Sequence, residues 1–165
     1  MPRFGIVLVL CLGLVSAGAQ TEKKRKKPVI GRIEWLLLTD LQTWFEARVD
    51  TGAKTCSIHA INEKEVKING EAFIEFDTFD KDEKMVRLRS RLVQKKRVRG
   101  TTGELSTRYF IREKIQVGSV TKTLLINLND RKMLKYNFLI GRNFLRGSFL
   151  VDVSLSHTWE LPHEN

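Results

Sequence analysis

Cysteine is scarce in this chain: two residues in 165. Long apolar runs are as rare. The one present, Phe4 to Val15, follows a basic start at Arg3 and closes on Ala17-Gly18-Ala19. That is the layout of a secretory signal peptide over residues 1–19, cleaved before Gln20. The run is too short to cross a bilayer comfortably, and no later segment could, so stable membrane insertion is not expected. Leu10 stands before Cys11 where a lipoprotein signal carries a small residue, which argues against a lipid anchor. The expectation is an exported protein, periplasmic or secreted. Processing would take Cys11 away and leave Cys56 alone, so no intramolecular disulfide can form, although an intermolecular bridge stays open. The fold must then stand on its own core or on a partner subunit.

Acidic residues are outnumbered. Asp and Glu total 19 against 29 Lys and Arg, for a formal net charge of +10. The excess is clustered at Lys23 to Lys27, and again at Arg87, Arg89, Arg91, Lys95, Lys96, Arg97 and Arg99. A basic balance implies an acidic partner, which can be nucleic acid, anionic lipid or acidic peptide. Export makes nucleic acid the poorest fit of the three. The plain alternative for the first cluster is a solvated leader. Residues 20–31 read as that leader or linker, and residues 32–160 as a single domain, which the chain length allows.

Helical periodicity is nearly missing. Phe45, Ala47 and Val49 alternate with Glu46 and Arg48, a period of two that runs into Asp50. Val66 and Ile68 alternate with lysines, Asn69-Gly70 makes a hairpin turn, and Ala72, Ile74 and Phe76 resume the pattern. Val86, Leu88 and Leu92 alternate with arginines. Thr101-Thr102-Gly103 breaks the chain, Arg108 to Val117 leads to a turn at Gly118-Ser119, and Thr121 to Leu128 is a further strand. Two places read as helical: a short piece after Thr55, and Arg142 to Arg146 after Gly141. There is no internal repeat. Many strands, tight turns and little helix predict an all-β, closed or partly closed barrel.

The stretch VDTGAKTCS, Val49 to Ser57, is where chemistry is concentrated, and three readings compete for it. A phosphate-binding loop is excluded: Ala53 separates Gly52 from Lys54, and Ala47 occupies the place of the first glycine. A zinc site would draw on Cys56 and His59, completed by His157, His163 or a carboxylate. The paired Cys/His clusters of structural zinc sites and the H-E-x-x-H of metallopeptidases are both absent, and a lone Cys-x-x-His is more often a packed thiol beside a polar histidine. The third reading is an aspartic peptidase. It needs two carboxylates sharing one proton, so that one acts as base on a water while the other donates to the carbonyl oxygen. Asp50 at a strand end, followed by Thr51 and Gly52, is held rigidly. The small Gly52 lets backbone approach the carboxylate, and the Thr51 hydroxyl can bond to a partner loop. Asp50 is the only Asp followed by Ser or Thr and then Gly. The domain is too short for two lobes, so the site requires a two-fold homodimer in which Asp50 faces its symmetry mate. Otherwise Asp50 is simply a turn residue.

This third reading also needs an apolar strand ending in glycine, packed behind the Asp loop and followed by a short helix. Tyr136-Asn137-Phe138-Leu139-Ile140-Gly141-Arg142-Asn143-Phe144-Leu145 supplies it. The pair DTGA and LIGRNFL resembles the retropepsin pattern. More closely, the chain is similar to the bacterial retropepsin-like family labelled ATP-dependent zinc protease and found beside RimK-type glutamate ligases. Its Asp-Thr-Gly-Ala-[Lys/Arg]-Thr-Ser-x-x-His-Ala stretch corresponds to Asp50–Ala60, with Cys56 in place of Ser. Its Asp-Arg-x-x-Met and Leu-x-Gly-Arg stretches correspond to Asp130-Arg131 through Arg142, with Met133 one place early. No residue pattern supports the ATP or the zinc of that label, so no cofactor is expected.

The resemblance implies a retropepsin-like (acid protease) closed β-barrel with one short C-terminal helix, paired as a two-fold homodimer. It implies a hydrolase, an aspartic endopeptidase, with Asp50 catalytic, Thr51 in the inter-subunit grip and Gly52 shaping the loop. A hairpin over the cleft should act as a flap, and Arg97 to Arg108, with Gly100 and Gly103, is the candidate. One departure matters. Retroviral enzymes carry an acidic residue where Lys54 stands, paired to the arginine matching Arg142. Here that ion pair cannot form, so Arg142 must find another partner or face the site. Lys54, Arg97, Arg99 and Arg142 are therefore the candidate substrate-binding residues, and they point to a Glu- or Asp-rich peptide substrate; solvated surface cations are the alternative. A shared proton implies a rate maximum on the acid side of neutrality. The competing functions are a non-catalytic basic binding module on the same fold and a zinc peptidase using Cys56 and His59.

Overall fold

The computed structural model describes residues 26–99 and 105–161, with the side chains of Val98 and Arg99 left aside. The expected signal peptide, residues 20–25 of the basic leader, and Gly100 and Gly103 of the expected flap lie outside the described residues. No described helix is long and apolar enough to cross a membrane.

Among the described residues, eleven strands and one short helix follow in order: β1 (Val29–Ile30), β2 (Ile33–Leu38), β3 (Thr43–Val49), β4 (Cys56–His59), β5 (Ile61–Ile68), β6 (Glu71–Phe79), β7 (Met85–Arg99), β8 (Leu105–Val117), β9 (Val120–Asn129), β10 (Phe138–Ile140), α1 (Arg142–Leu145) and β11 (Leu150–Val151). Six strands, in the order β2-β3-β10-β4-β9-β8, close on themselves where Leu37 and Leu38 of β2 meet Gln116 and Ile115 of β8. The closed barrel and its short helix are those the retropepsin resemblance implies. Closure leaves these six strands without a free edge. From β8 the sheet continues outward as an antiparallel meander, β7-β6-β5.

Period-two alternation explains most of these strands. In β3 the burial alternates so that Thr43, Phe45, Ala47 and Val49 face the core. The ring of Phe45 packs on that of Phe138 from β10 at 5.4 Å between centroids. Ile58, Ile111, Ile115 and Ile126 fill the same interior, and Ile74, Phe76 and Leu88 of the meander join it. The Asn69-Gly70 turn forms as expected, with φ of 51° and 83°, the left-handed pair a two-residue hairpin needs.

Two elements differ from the sequence reading. The piece after Thr55 is not helical. It is β4, pairing in parallel with β9 and antiparallel with β10, because its four residues are buried between two strands and tertiary pairing overrides local preference. Ile33–Leu38, not singled out from the sequence, is a barrel strand whose inward set includes the fully buried Glu34. That carboxylate accepts from the Gly31 amide (2.6 Å), the Thr158 amide (2.8 Å) and the Thr158 hydroxyl (2.7 Å), which satisfies the buried charge and ties the C-terminal segment to β2. β1 and β11 pair in parallel beside the barrel.

Candidate active site

β3 delivers Asp50 to the barrel end. β10 runs parallel beside it, Val49 opposite Ile140, and the Asp50 amide continues the ladder by donating to the Ile140 carbonyl at 3.0 Å. The loop then turns on the Asp50 side chain. Oδ1 accepts from the amides of Gly52 at 2.8 Å and Ala53 at 3.1 Å. Among the described residues Oδ2 receives no donor. One oxygen is thus fixed by backbone and the other is available for proton chemistry. A Cβ on Gly52 would stand 3.2 Å from Oδ1, so the close approach expected of this glycine is present. Thr51 is exposed at the loop surface.

The LIG strand and α1 lock this loop from behind. Gly141 approaches so closely that a Cβ there would meet the Thr55 carbonyl carbon at 2.5 Å. Its amide donates to the Cys56 thiol sulfur at 3.3 Å. Asn143 bridges two strands: its Oδ1 accepts from the Cys56 amide (2.9 Å), and its Nδ2 donates to the Leu125 carbonyl (2.8 Å). Arg142, deprived of an acidic partner by Lys54, donates through Nη1 to the carbonyls of Thr51 (3.2 Å) and Gly52 (2.8 Å). Its own amide donates to the Ala53 carbonyl at 2.9 Å. Arg142 therefore found its alternative partner in the Asp loop itself.

The predicted binding cations fall in separate places. Lys54 and Arg142 line one cleft of about 400 Å³ together with Asn143 and Arg146. Arg97 lies exposed on β7, opposite Thr107 of β8, in a hairpin arm running from Leu92/Ile111 out to Arg99/Leu105. That hairpin is the expected flap; its tip and the Arg99 side chain lie outside the described residues.

A second cleft of about 400 Å³ holds Asp50 itself, and its cations were not predicted. Arg48, Arg131, Leu134, Lys135, Tyr136 and Leu139 line it. Arg131 is buried, at 6 % exposure. Its amide donates to His59 Nδ1 (2.9 Å) and its Nε to the Tyr136 carbonyl (3.2 Å). Burial pushes its pKa below the usual arginine value; the Asp50 carboxylate opposes this, and the nearby Arg108 guanidinium adds to it. The only sequence signal for Arg131 was its place in the Asp-Arg pair that carried the family resemblance.

Cys56 and His59 are three positions apart on β4 and point to opposite faces. Burial pushes the Cys56 thiol up to about 12. Burial also lowers the His59 pKa, and Nδ1 is used as an acceptor for Arg131, so the ring is neutral with its proton on Nε2. Asp130, 3.8 Å from Nδ1, is thus not facing a charged imidazole. His59 lies flat against Phe79, centroids 5.8 Å apart. Among the described residues no group of three His, Cys, Asp or Glu side chains is arranged to hold a metal ion.

Comparison with known proteins agrees with this geometry. The family model described as RimB-like, retropepsin-like aspartic endopeptidase RimB, matches residues 29–160. Two proteins named probable alpha-L-glutamate ligase are similar to the chain: that of Shewanella halifaxensis is 33 % identical over 134 residues, and that of Parasynechococcus marenigrum 34 % over 136. These matches take in 79 % and 80 % of this chain but 29 % of either ligase, so the chain spans less than a third of their length. The crystal structure of a Legionella pneumophila protein of unknown function superposes with a TM-score of 0.68 at 27 % identity, over 81 % of this chain and 98 % of that one.

Proposed function

The chain belongs to the RimB-like family of retropepsin-like aspartic endopeptidases, and on that footing we propose that it hydrolyses peptide bonds with two Asp50 carboxylates, one from each subunit of a two-fold homodimer. The observation that carries this reading is the Asp50 carboxylate at the lining of a cleft: Oδ1 is pinned by two amides, and Oδ2 receives no donor among the described residues. In the dimer the two open oxygens share one proton. The ionised carboxylate takes a proton from water as that water attacks the peptide carbonyl, and the protonated one donates to the carbonyl oxygen. Thr51, exposed in the single chain, bonds across to the other subunit's loop. Exposed Val29 and Leu150 on the β1–β11 sheet, with Val153 and Leu155 following, supply apolar surface suited to a second copy. The β7–β8 hairpin covers the bound peptide.

The substrate proposed is a peptide rich in Glu or Asp. Lys54 with Arg142 and Arg146 in one cleft, and Arg48, Arg131 and Lys135 in the other, form no ion pair with any carboxylate among the described residues. The relatives named as glutamate ligases add glutamate by their name, and a peptidase sharing a segment with them suits a glutamate-bearing peptide. The opening segment, with its Arg3, apolar run and small-residue close, supports export. The test is Asp50→Asn. Hydrolysis of a Glu-rich peptide should vanish while sedimentation still reports a dimer. Undiminished hydrolysis would remove Asp50 from the chemistry. A wild-type protein that binds such peptides tightly and cleaves none would instead be a basic binding module.

A further inference from the structure

Lys122 is half-buried on β9, lines neither cleft, and spends its charge on backbone. Its Nζ donates to the Phe144 carbonyl at 2.6 Å and to the Arg146 carbonyl at 3.3 Å, and stands 5.6 Å from the centre of the Phe144 ring. Four residues are too few for α1 to hold by its own bonds. The carbonyls at its end must therefore find donors elsewhere. Those of Arg142 and Leu145 are met by amides that follow in the chain: Arg146 donates to the first at 2.9 Å, and Ser148 (3.1 Å) and Phe149 (3.2 Å) to the second. Lys122 meets those of Phe144 and Arg146 with charge-assisted bonds. The opposite end of α1 holds the Asp50 loop. Arg142 donates through Nη1 to the Thr51 and Gly52 carbonyls and through its amide to the Ala53 carbonyl. Buried Phe144 and Leu145 anchor the helix between these ends, but apolar packing has no direction and does not fix how the helix is turned. The directed bonds from Lys122 do.

We propose that Lys122 is a positioning residue for the reaction: by fixing the C-terminal end of α1, it sets where Arg142 grips the loop and so where the Asp50 carboxylate stands. The inference rests on the peptidase reading for its effect on rate. Lys122 touches neither the Asp50 loop nor the cleft that holds Asp50, so whatever it contributes to hydrolysis passes through α1.

The test uses Lys122→Met, which keeps an apolar stem beside Phe144 and loses the donor, Lys122→Arg, which can still donate to both carbonyls, and Arg142→Met. In Lys122→Met, native-state hydrogen exchange at the Ala53 and Arg142 amides should quicken about tenfold or more, while the β2–β3 ladder exchanges as in the wild type. On a Glu-rich peptide kcat should fall by about tenfold with KM nearly unchanged, because the carboxylate is displaced and the binding cations are not. Lys122→Arg should restore both readouts. In the Arg142→Met background the further loss from Lys122→Met should shrink to about twofold or less, since the route is already broken. Exchange that quickens alike across the barrel, or two losses in kcat that simply multiply, would overturn the positioning role. If exchange changes as described while the wild type cleaves no peptide, the positioning role stands and the peptidase reading falls. If the wild type is active and Lys122→Met matches it in exchange and kcat, the positioning role falls alone.

Discussion

Arg142 donates through Nη1 to the Gly52 carbonyl at 2.8 Å, and so holds the loop that carries Asp50. In a retroviral-type loop the same arginine would be drawn to an acidic residue at position 54; here Lys54 repels it, and the guanidinium turns to the loop backbone. Charge-assisted bonds of this kind contribute on the order of 1.5–3 kcal/mol. Arg142→Met should therefore loosen the Asp loop, lower stability by about 1–2 kcal/mol, and reduce kcat more than it raises KM. An unchanged kcat would show that the loop holds its shape without this contact.

Lys54→Glu reverses the departure. The new carboxylate should capture Arg142, release the Thr51 and Gly52 carbonyls, and raise KM for Glu-rich peptides by removing one cation and adding an anion in the same cleft. A crystal structure of the variant checks the first outcome and steady-state kinetics the second. Unchanged KM would take Lys54 out of substrate binding.

Gly141→Ala places a Cβ 2.5 Å from the Thr55 carbonyl carbon, and both partners are backbone. Neither can yield without moving the Asp loop. The expected loss is about 1–3 kcal/mol, the usual range for overpacking, read as a lower midpoint in urea unfolding. Wild-type stability in the variant would mean the strand can shift without cost.

Glu113 gives a pH-dependent stability. It is buried, accepts a hydrogen bond from the Ser90 hydroxyl, and burial raises its pKa above the ordinary glutamate value. A raised carboxyl pKa means the folded state holds its proton longer than the unfolded chain does. The stability this group contributes is therefore complete below the unfolded pKa of about 4.3 and is lost as pH rises through the folded one. Glu113→Gln, which cannot ionise, should match the wild type at pH 4 and exceed it in Tm at pH 8. A variant less stable than the wild type at both pH values would contradict the assignment.

The Cys56 thiol, fully buried with its pKa pushed up to about 12, should stay unmodified by iodoacetamide at pH 8 in the folded protein and react only as the chain unfolds. Activity should survive EDTA, since Cys56 Sγ accepts from the Gly141 amide and His59 Nδ1 from the Arg131 amide. Loss of activity on chelation, restored by stoichiometric zinc, would revive the metal reading.

The barrel was legible wherever one face of a strand is wet. β3 alternates cleanly into Asp50, and the Asn69-Gly70 and Gly118-Ser119 turns mark hairpins. It was illegible where both faces are dry or where polarity is inverted. β4 is buried on both sides, so Cys56 to His59 shows no period, and β2 hides a polar Glu34 among its inward residues. The site divided the same way. Asp50, Thr51, Gly52 and Gly141 were marked by a motif whose glycines have steric reasons. Arg131 carried only its place in the Asp-Arg motif and no sign of its burial, because arginine is ordinarily exposed and sequence does not show one buried against neighbours brought in by strand pairing.

The central claim is that two Asp50 carboxylates make one site, and a crystal structure of the homodimer at the working pH measures it directly. The account predicts the open oxygens of the two Asp50 side chains about 3 Å apart, within reach of a shared proton. Asp50 loops facing away from each other, or a protein that remains monomeric, would contradict it, since one carboxylate alone cannot act as base and acid on the same bond.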